Sequence, residues 1–308
     1  MTSRHFLRDD DLSPDAQRRV LALAAAMKRD PLGHRPLDGP RSVAVVFDKP
    51  STRTRVSFAV GIAELGGYPL VIDSGTTQAG RGEPVADTAR VLGRQVDAIV
   101  WRTGAHEGLE VMAGHAGVPV VNALSDAFHP CQVLADLMTV QEHRGGGLRG
   151  ATVAFVGDIA NNMAASWAVG GAMAGVHVRL AGPASARPSS ATITAALAAG
   201  RATGGSVAVL DDAKAAAYGA DVLVTDTWSS MGAGGSGATD AELAPFRIDG
   251  GLLDVAGPDA LVLHCLPAYR GKEISAEVLD GDHPEIWDAA ENRKHVQKAV
   301  LAHLLAAA

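Results

Sequence analysis

Two α/β domains, each a parallel sheet flanked by helices, are what the sequence predicts, and three observations lead there. The chain has 308 residues, and a domain usually takes ~100–200. Short β-branched runs alternate with helical stretches from end to end, as in βαβ units and parallel sheets. The run Gly145-Gly146-Gly147 interrupts this alternation, which then restarts.

Ser13-Pro14-Asp15 opens the first helix, with Ser13 as N-cap and Pro14 at the first helical position. Val20, Leu21, Leu23, Ala24 and Met27 are its apolar positions. Ser42 to Phe47 reads as a buried strand, followed by a helix from near Ser51 to Gly66-Gly67. Pro69 to Ile72 is a second strand, Asp87 to Leu92 a helix, and Ala98 to Trp101 a third strand. Pro119 to Asn122 is a fourth, followed by a helix from His129-Pro130 to about His143. In the second half, Thr152–Val156, Val176–Leu180, Val207–Leu210, Asp221–Thr225 and Leu261–His264 read as strands. Asn162 to Met173 reads as a helix, and a last helix runs from about Asp288 to the end. The Gly- and Ser-rich stretch Met231 to Ala238 reads as a mobile loop.

Composition narrows the function. A net charge of −7 disfavours general binding to nucleic acid or an anionic membrane. Any anion site must then be a local cluster of Arg and His. No apolar stretch approaches the ~20 residues of a membrane span. The two cysteines, Cys131 and Cys265, show neither a disulfide framework nor a zinc spacing. That points to a reducing compartment. Met1 to Leu12 carries Arg8, Asp9, Asp10 and Asp11 without an apolar run, unlike a signal peptide or mitochondrial presequence. A cytoplasmic location is the expectation.

Ligands of open parallel sheets bind beyond the carboxyl ends of strands. After the first strand stands Lys49-Pro50-Ser51-Thr52-Arg53-Thr54-Arg55. A helix start exposes unpaired N–H groups and partial positive charge, and hydroxyls with guanidinium groups complete a cage for phosphate. Alone, Ser-Thr-Arg would be a capped helix with solvated arginines; the five-residue string favours the phosphate. The string is not Gly-x-x-x-x-Gly-Lys, so ATP is not implied. Arg102 ends the third strand. His129-Pro130-Cys131-Gln132 opens the helix after the fourth. A His and a Gln amide there suit a carbonyl and an –NH2 group. Gly157-Asp158-Ile159-Ala160-Asn161-Asn162 lacks the Gly-x-Gly-x-x-Gly fingerprint of NAD sites. Asp226, after a strand, offers a carboxylate to a ligand ammonium. His264-Cys265-Leu266-Pro267 ends the final strand, where a Cys is commonly a small buried hydrophobe.

Together these strings resemble the aspartate and ornithine carbamoyltransferases over nearly the whole chain and in order. Ser-Thr-Arg-Thr-Arg and His-Pro-x-Gln resemble the carbamoyl-phosphate signature shared by both branches. Asp-x-x-Ser-Met-Gly from Asp226 to Gly232, with His-Cys-Leu-Pro, resembles the ornithine branch. The resemblance implies carbamoyl transfer from carbamoyl phosphate to the δ-amine of L-ornithine, giving citrulline and phosphate within arginine metabolism, in the biosynthetic direction. It implies that Ser51, Thr52, Arg53, Thr54, Gln78, Arg102, His129, Pro130, Cys131, Gln132, Cys265, Leu266 and Arg293 bind carbamoyl phosphate. Arg53, Arg102, His129 and Cys265 would be catalytic, and Asn162, Asp226, Ser230 and Met231 would bind ornithine. The implied domains are 1–145, joined by a returning C-terminal helix at 289–308, and 146–288. A homotrimer or a multiple of trimers, with Gln78 completing a site at the subunit interface, is also implied, and no metal or cofactor.

Tyr269 stands where His or Phe would be expected, and the loop after Met231 is unusually rich in Gly. Another acceptor amine, such as putrescine or an acylated ornithine, is the nearest alternative. A non-catalytic carbamoyl-phosphate or amino-acid binding protein is a second. The polar set Arg53, Arg102, His129, Gln132 and Cys265 argues for catalysis.

Overall fold

A computed structural model of the chain describes residues 4–76, 82–145, 147–228 and 237–306. The chain divides into two compact units, Met1–Leu134 with Glu291–Ala308, and Ala135–Ala290. Among the described residues no helix is long and apolar enough to cross a membrane.

The first unit is built on a four-stranded parallel sheet of order β2-β1-β3-β4. Its strands are β1 (Ser42–Phe47), β2 (Tyr68–Asp73), β3 (Ala98–Arg102) and β4 (Val120–Leu124). Helices α1 (Pro14–Arg29), α2 (Thr52–Glu64), α3 (Val85–Leu92) and α4 (His106–Ala116) accompany them. The Ser13 hydroxyl accepts the Ala16 N–H, as the capping pattern requires. β1 is buried at all but its first residue, as a central strand covered on both faces should be. On one side of the sheet, Ala44, Ile99, Trp101, Leu109, Met112 and Val120 pack together.

α5 (Pro130–Arg144) leads to the second unit, whose five-stranded parallel sheet has the order β7-β6-β5-β8-β9. These strands are β5 (Thr152–Val156), β6 (His177–Ala181), β7 (Ser206–Leu210), β8 (Val222–Thr225) and β9 (Leu261–His264). α6 (Asn162–Ser166) continues into a π turn at Trp167–Gly171. The other helices are α7 (Ser190–Thr203), α8 (Ala213–Ala217), α9 (Asp240–Leu243), α10 (Gly250–Leu253), α11 (Ala276–Leu279) and α12 (Glu285–Ala306).

The strand expectations hold to within a residue or two. The sequence reading named no helix at α4 or α7. α7 is closed by a Ser189 N-cap and a left-handed Gly204. The mobile-loop expectation at Met231 to Ala238 falls mostly outside the described residues.

Both sheets place their turns of chain direction usefully. In the first, chain order reverses between β1 and β3; in the second, between β5 and β8. Such switch points leave a crevice beyond the strand ends. The second crevice requires a glycine. Gly157 follows β5 with φ +122°, and a Cβ there would come within 3.2 Å of Thr225 Oγ1 and of Trp228 Nε1.

The C-terminal part of α12 belongs to the first unit through a cluster around Glu64. Lys294 Nζ and Lys298 Nζ each donate to the Glu64 carboxylate at 2.7 Å, and Lys298 also donates to the Pro31 carbonyl at 2.7 Å. Lys28 Nζ donates to Asn292 Oδ1 at 2.8 Å. Lys298 is fully buried, and removing one member of a buried ion pair commonly costs ~3–5 kcal/mol. Lys298→Ala is expected to destabilise the protein by about 3 kcal/mol, read as a lower thermal or denaturant midpoint. A midpoint unchanged from wild type would show that α12 does not depend on this cluster.

Candidate active site

The first half of the candidate site gathers at the β1/β3 switch point. The chain leaves β1 through Asp48, whose carboxylate accepts from Trp101 Nε1 at 3.0 Å and whose N–H donates to the Arg102 carbonyl at 3.0 Å. This fixes the approach to α2. Ser51 takes an extended backbone at the N-cap position and makes no side-chain cap. The N–H groups of the first turn have no intrahelical acceptor, and Thr52 and Arg53 are exposed beside them.

Thr54 is different. It is fully buried, and its Oγ1 accepts from two guanidinium groups. Arg102 Nη1 reaches it from the end of β3 at 3.2 Å, and Arg293 Nη2 from α12 at 2.7 Å. Arg293 is itself buried, unlike the solvated arginine usual on a terminal helix. Arg55 turns away from this cluster. It donates to Asp73 and lies 4.6 Å from the centre of the Phe47 ring. It braces α2 against β1 and β2.

His129 and Gln132 come from the start of α5, and both are buried. The Gln132 N–H donates to the His129 carbonyl at 3.0 Å, within the first turn. Burial, and then the charges of Arg293 and Arg102, hold the His129 imidazole well below its ordinary value. At neutral pH the ring is uncharged and carries one N–H, suited to polarising a carbonyl. Pro130 is the first residue of α5. The Cys131 thiol points into the core, toward the Asn122 carbonyl at 3.5 Å, and burial pushes it up to about 12. Any contribution from Cys131 to a ligand is through its backbone.

The second half lies at the β5/β8 switch point. Asp226 follows β8 and is buried. Its Oδ1 accepts from Cys265 Sγ at 3.0 Å and from the Thr227 N–H at 2.7 Å. Burial raises its carboxyl above the ordinary range, against the lowering influence of His264, Cys265 and the Thr227 N–H. Asn162 is the first residue of α6. Its neighbour Asn161 does more than the sequence suggested: Oδ1 accepts the Ala164 N–H at 2.8 Å as N-cap, while Nδ2 points at Asp226 Oδ2 at 3.5 Å.

Cys265 and Leu266 sit on a turn that begins where β9 ends. His264 Nδ1 accepts the Leu266 N–H at 2.8 Å, so its Nε2 carries the proton and faces Glu273 at 3.3 Å. Both side chains are fully enclosed. Leu266 has φ 56°, uncommon for a side-chain-bearing residue, and its bond to Pro267 is cis. One donor atom each of Asp226, His264 and Cys265 lies within 4.8 Å of the others. With Nδ1 and Nε2 of His264 both engaged, a metal ion would have to break an existing bond. Glu273 did not stand out in the sequence, because its partner lies nine residues away across a turn. Gln78, Ser230 and Met231 lie outside the described residues.

The neutral His129 carries a consequence for stability. An unfolded chain takes up the imidazole proton near pH 6.5, and the folded protein resists it until lower pH, so this residue's contribution is complete above about 6.5 and declines below it. The melting temperature of wild type is expected to fall more steeply than that of His129→Gln between about pH 7 and about pH 5. Parallel curves would mean that His129 is not held neutral by the fold.

Known proteins match the chain in two successive parts. Residues 4–142 match the aspartate/ornithine carbamoyltransferase carbamoyl-P binding domain, and 149–304 match the Asp/Orn binding domain of the same enzymes. An ornithine carbamoyltransferase of Mycolicibacterium paratuberculosis is 56% identical over 99% of both chains. A crystal structure of the Gloeobacter violaceus ornithine carbamoyltransferase superposes with a TM-score of 0.87 at 44% identity, covering 98% of each chain. An anabolic ornithine carbamoyltransferase of Campylobacter jejuni gives a TM-score of 0.90 at 39% identity, over 97% of this chain and 98% of that one. With both family models matching in sequence order across nearly all of its length, the chain belongs to the aspartate/ornithine carbamoyltransferase family.

Proposed function

We propose that the protein is an ornithine carbamoyltransferase, moving the carbamoyl group of carbamoyl phosphate to the δ-amine of L-ornithine and releasing L-citrulline and phosphate. The observation that carries this is the sharing of the buried Thr54 hydroxyl by Arg102 and Arg293. Two guanidinium groups held together at a helix N-terminus suit a phosphate dianion. The neutral His129 beside them suits a carbonyl. The named relatives favour ornithine as acceptor, and the anabolic Campylobacter enzyme favours arginine biosynthesis.

In this reading residues 1–145 with 289–308 bind carbamoyl phosphate and 146–288 bind ornithine. Ser51, Thr52, Arg53 and Thr54 hold the phosphate, with Arg293 adding charge from α12 and Gln78 completing the site. Arg102 and His129 donate to the carbamoyl oxygen as it gains negative charge. Gln132 accepts from the carbamoyl –NH2, with Pro130, Cys131 and Leu266 shaping the pocket through the backbone. Asn162, Asp226, Ser230 and Met231 bind ornithine. An alkyl ammonium near pKa ~10.4 must lose a proton before it attacks. The Asp226–Cys265 pair and the departing phosphate are the groups available for it. The amine lone pair then forms the C–N bond, and the C–O bond to phosphate breaks. No metal or cofactor enters the reaction.

The reading extends to a cytoplasmic homotrimer, or a multiple of trimers, with its site at the subunit interface. Support for the compartment comes from two free cysteines, one of them buried. Support for self-association comes from the exposed Val56 and Val60 on α2 and Tyr68, Leu70 and Val71 on the neighbouring β2.

Incubation with carbamoyl phosphate and a panel of ornithine, N-acetylornithine, putrescine and aspartate tests the acceptor. Citrulline and phosphate are expected in equal amounts with ornithine; no carbamoylated ornithine would overturn the proposal. Arg53→Ala should lower kcat/KM for carbamoyl phosphate by ~10²–10³-fold, the scale for losing one donor to a developing charge. An unchanged kcat/KM would remove Arg53 from the site.

A further inference from the structure

The turn that delivers His129 is held by a set of polar side chains for which the carbamoyl-transfer chemistry above has no use. β4 ends at Leu124, and residues Ser125 to Phe128 fold back before α5 begins. The Ser125 N–H donates to the Phe128 carbonyl at 3.0 Å, and the Phe128 N–H donates to Ser125 Oγ at 3.2 Å. Asn122, in the middle of β4 and fully buried, points its amide into this turn. Its Nδ2 lies 2.8 Å from the Leu7 carbonyl, 3.3 Å from Ser125 Oγ and 3.3 Å from the Phe128 carbonyl. Ser125 Oγ also lies 3.4 Å from that carbonyl. The Phe128–His129 peptide is therefore gripped at its oxygen by backbone and side-chain donors together.

The grip extends outward. His106 Nδ1 lies 2.8 Å from Ser125 Oγ, and its ring meets the Phe128 ring edge-on with centroids 5.4 Å apart. The His106 N–H donates to Asp126 Oδ1 at 3.0 Å, and the Asp126 N–H donates to the Gly104 carbonyl at 2.8 Å. The Arg8 guanidinium sits 4.9 Å from the Phe128 ring centre. The segment carrying Arg8 is itself tied to β4, since the Phe6 N–H donates to the Val120 carbonyl and the Asn122 N–H to the Phe6 carbonyl. Asn122 thus ties the N-terminal segment at Leu7 to the turn that ends at the residue before His129.

We propose that Asn122 and Ser125 are positioning residues for catalysis: by fixing the Phe128–His129 peptide they aim the His129 imidazole at the carbamoyl oxygen. The inference rests on the proposed role of His129. A donor held in advance at the place where charge develops needs no reorganisation during reaction, and displacement of a catalytic group by 1 Å can cost ~10²-fold. Loss of one bond from a turn held by several should shift His129 by less than that.

The test is a double-mutant cycle on the full-length enzyme, with carbamoyl phosphate and ornithine as substrates. Ser125→Ala is expected to lower kcat about tenfold, with KM for carbamoyl phosphate within about twofold of wild type. In a His129→Ala background the same substitution should cost less than about twofold, because the group it positions is gone. His106→Ala, a change at a half-exposed residue, removes one partner of the Ser125 hydroxyl; it should show the same pattern more weakly and keeps the test open if Ser125→Ala does not fold. An equal loss in both backgrounds, or a wild-type kcat in Ser125→Ala, overturns the positioning role. A fully active His129→Ala enzyme would instead overturn the role assigned to His129, and this inference with it.

Discussion

The first unit depends on the oxygen of one threonine. Thr54 Oγ1 takes hydrogen bonds from Arg102 and from Arg293, and so it joins the end of β3, the start of α2 and the middle of α12. Two like charges brought together at one hydroxyl repel each other. The fold holds them together regardless, through packing of α12 and the Glu64 cluster. A doubly negative ligand relieves that repulsion, while a neutral amide or a monoanion does so less. In the proposed reading, selectivity for phosphate follows from the arrangement of positive charge itself. Burial, and then the same charges, explain why His129, close by, stays neutral.

The second unit follows the opposite electrostatic plan. Asp226 is buried with a thiol and a backbone N–H for company, and burial makes it a weaker acid than usual. A buried carboxylate of this kind favours an incoming ammonium and can share its proton. His264 and Glu273 then hold the turn bearing Cys265 and Leu266 from beneath. One half is thus a cation-rich cradle and the other a proton-sharing one, matching a dianionic donor and a cationic acceptor respectively.

Much of this was legible in the sequence, for a physical reason. Parallel strands covered on both faces must be continuous apolar runs, so Ser42–Phe47, Thr152–Val156 and Leu261–His264 stand out. The polar residues that follow such strands are then easy to find. α4 was harder to see, since His106–Ala116 contains two glycines and its N-cap position is Ala105. Residues acting across long sequence separations left no local trace. Asn161 meets Asp226 across 65 positions, and the motif drew attention to Asn162 instead. Asn122 reads as one more residue of a strand until Leu7, 115 positions earlier, is found on its side chain. Gln78, Ser230 and Met231 remain assignments by motif alone.

Thr54 and Arg293 are separated by 239 positions. The anion cradle is therefore the last part of its domain to be completed as the chain is made. A nascent chain at a ribosome can form all four strands of the first sheet and the start of α2 well before Arg293 has been translated. Such an intermediate has Arg102 and Thr54 in hand but not the second guanidinium, and α12 has yet to dock through Lys294 and Lys298 on Glu64. Contacts this distant in sequence also slow folding. In the proposed reading, the capacity to grip phosphate therefore arrives only once the C-terminal helix has been made.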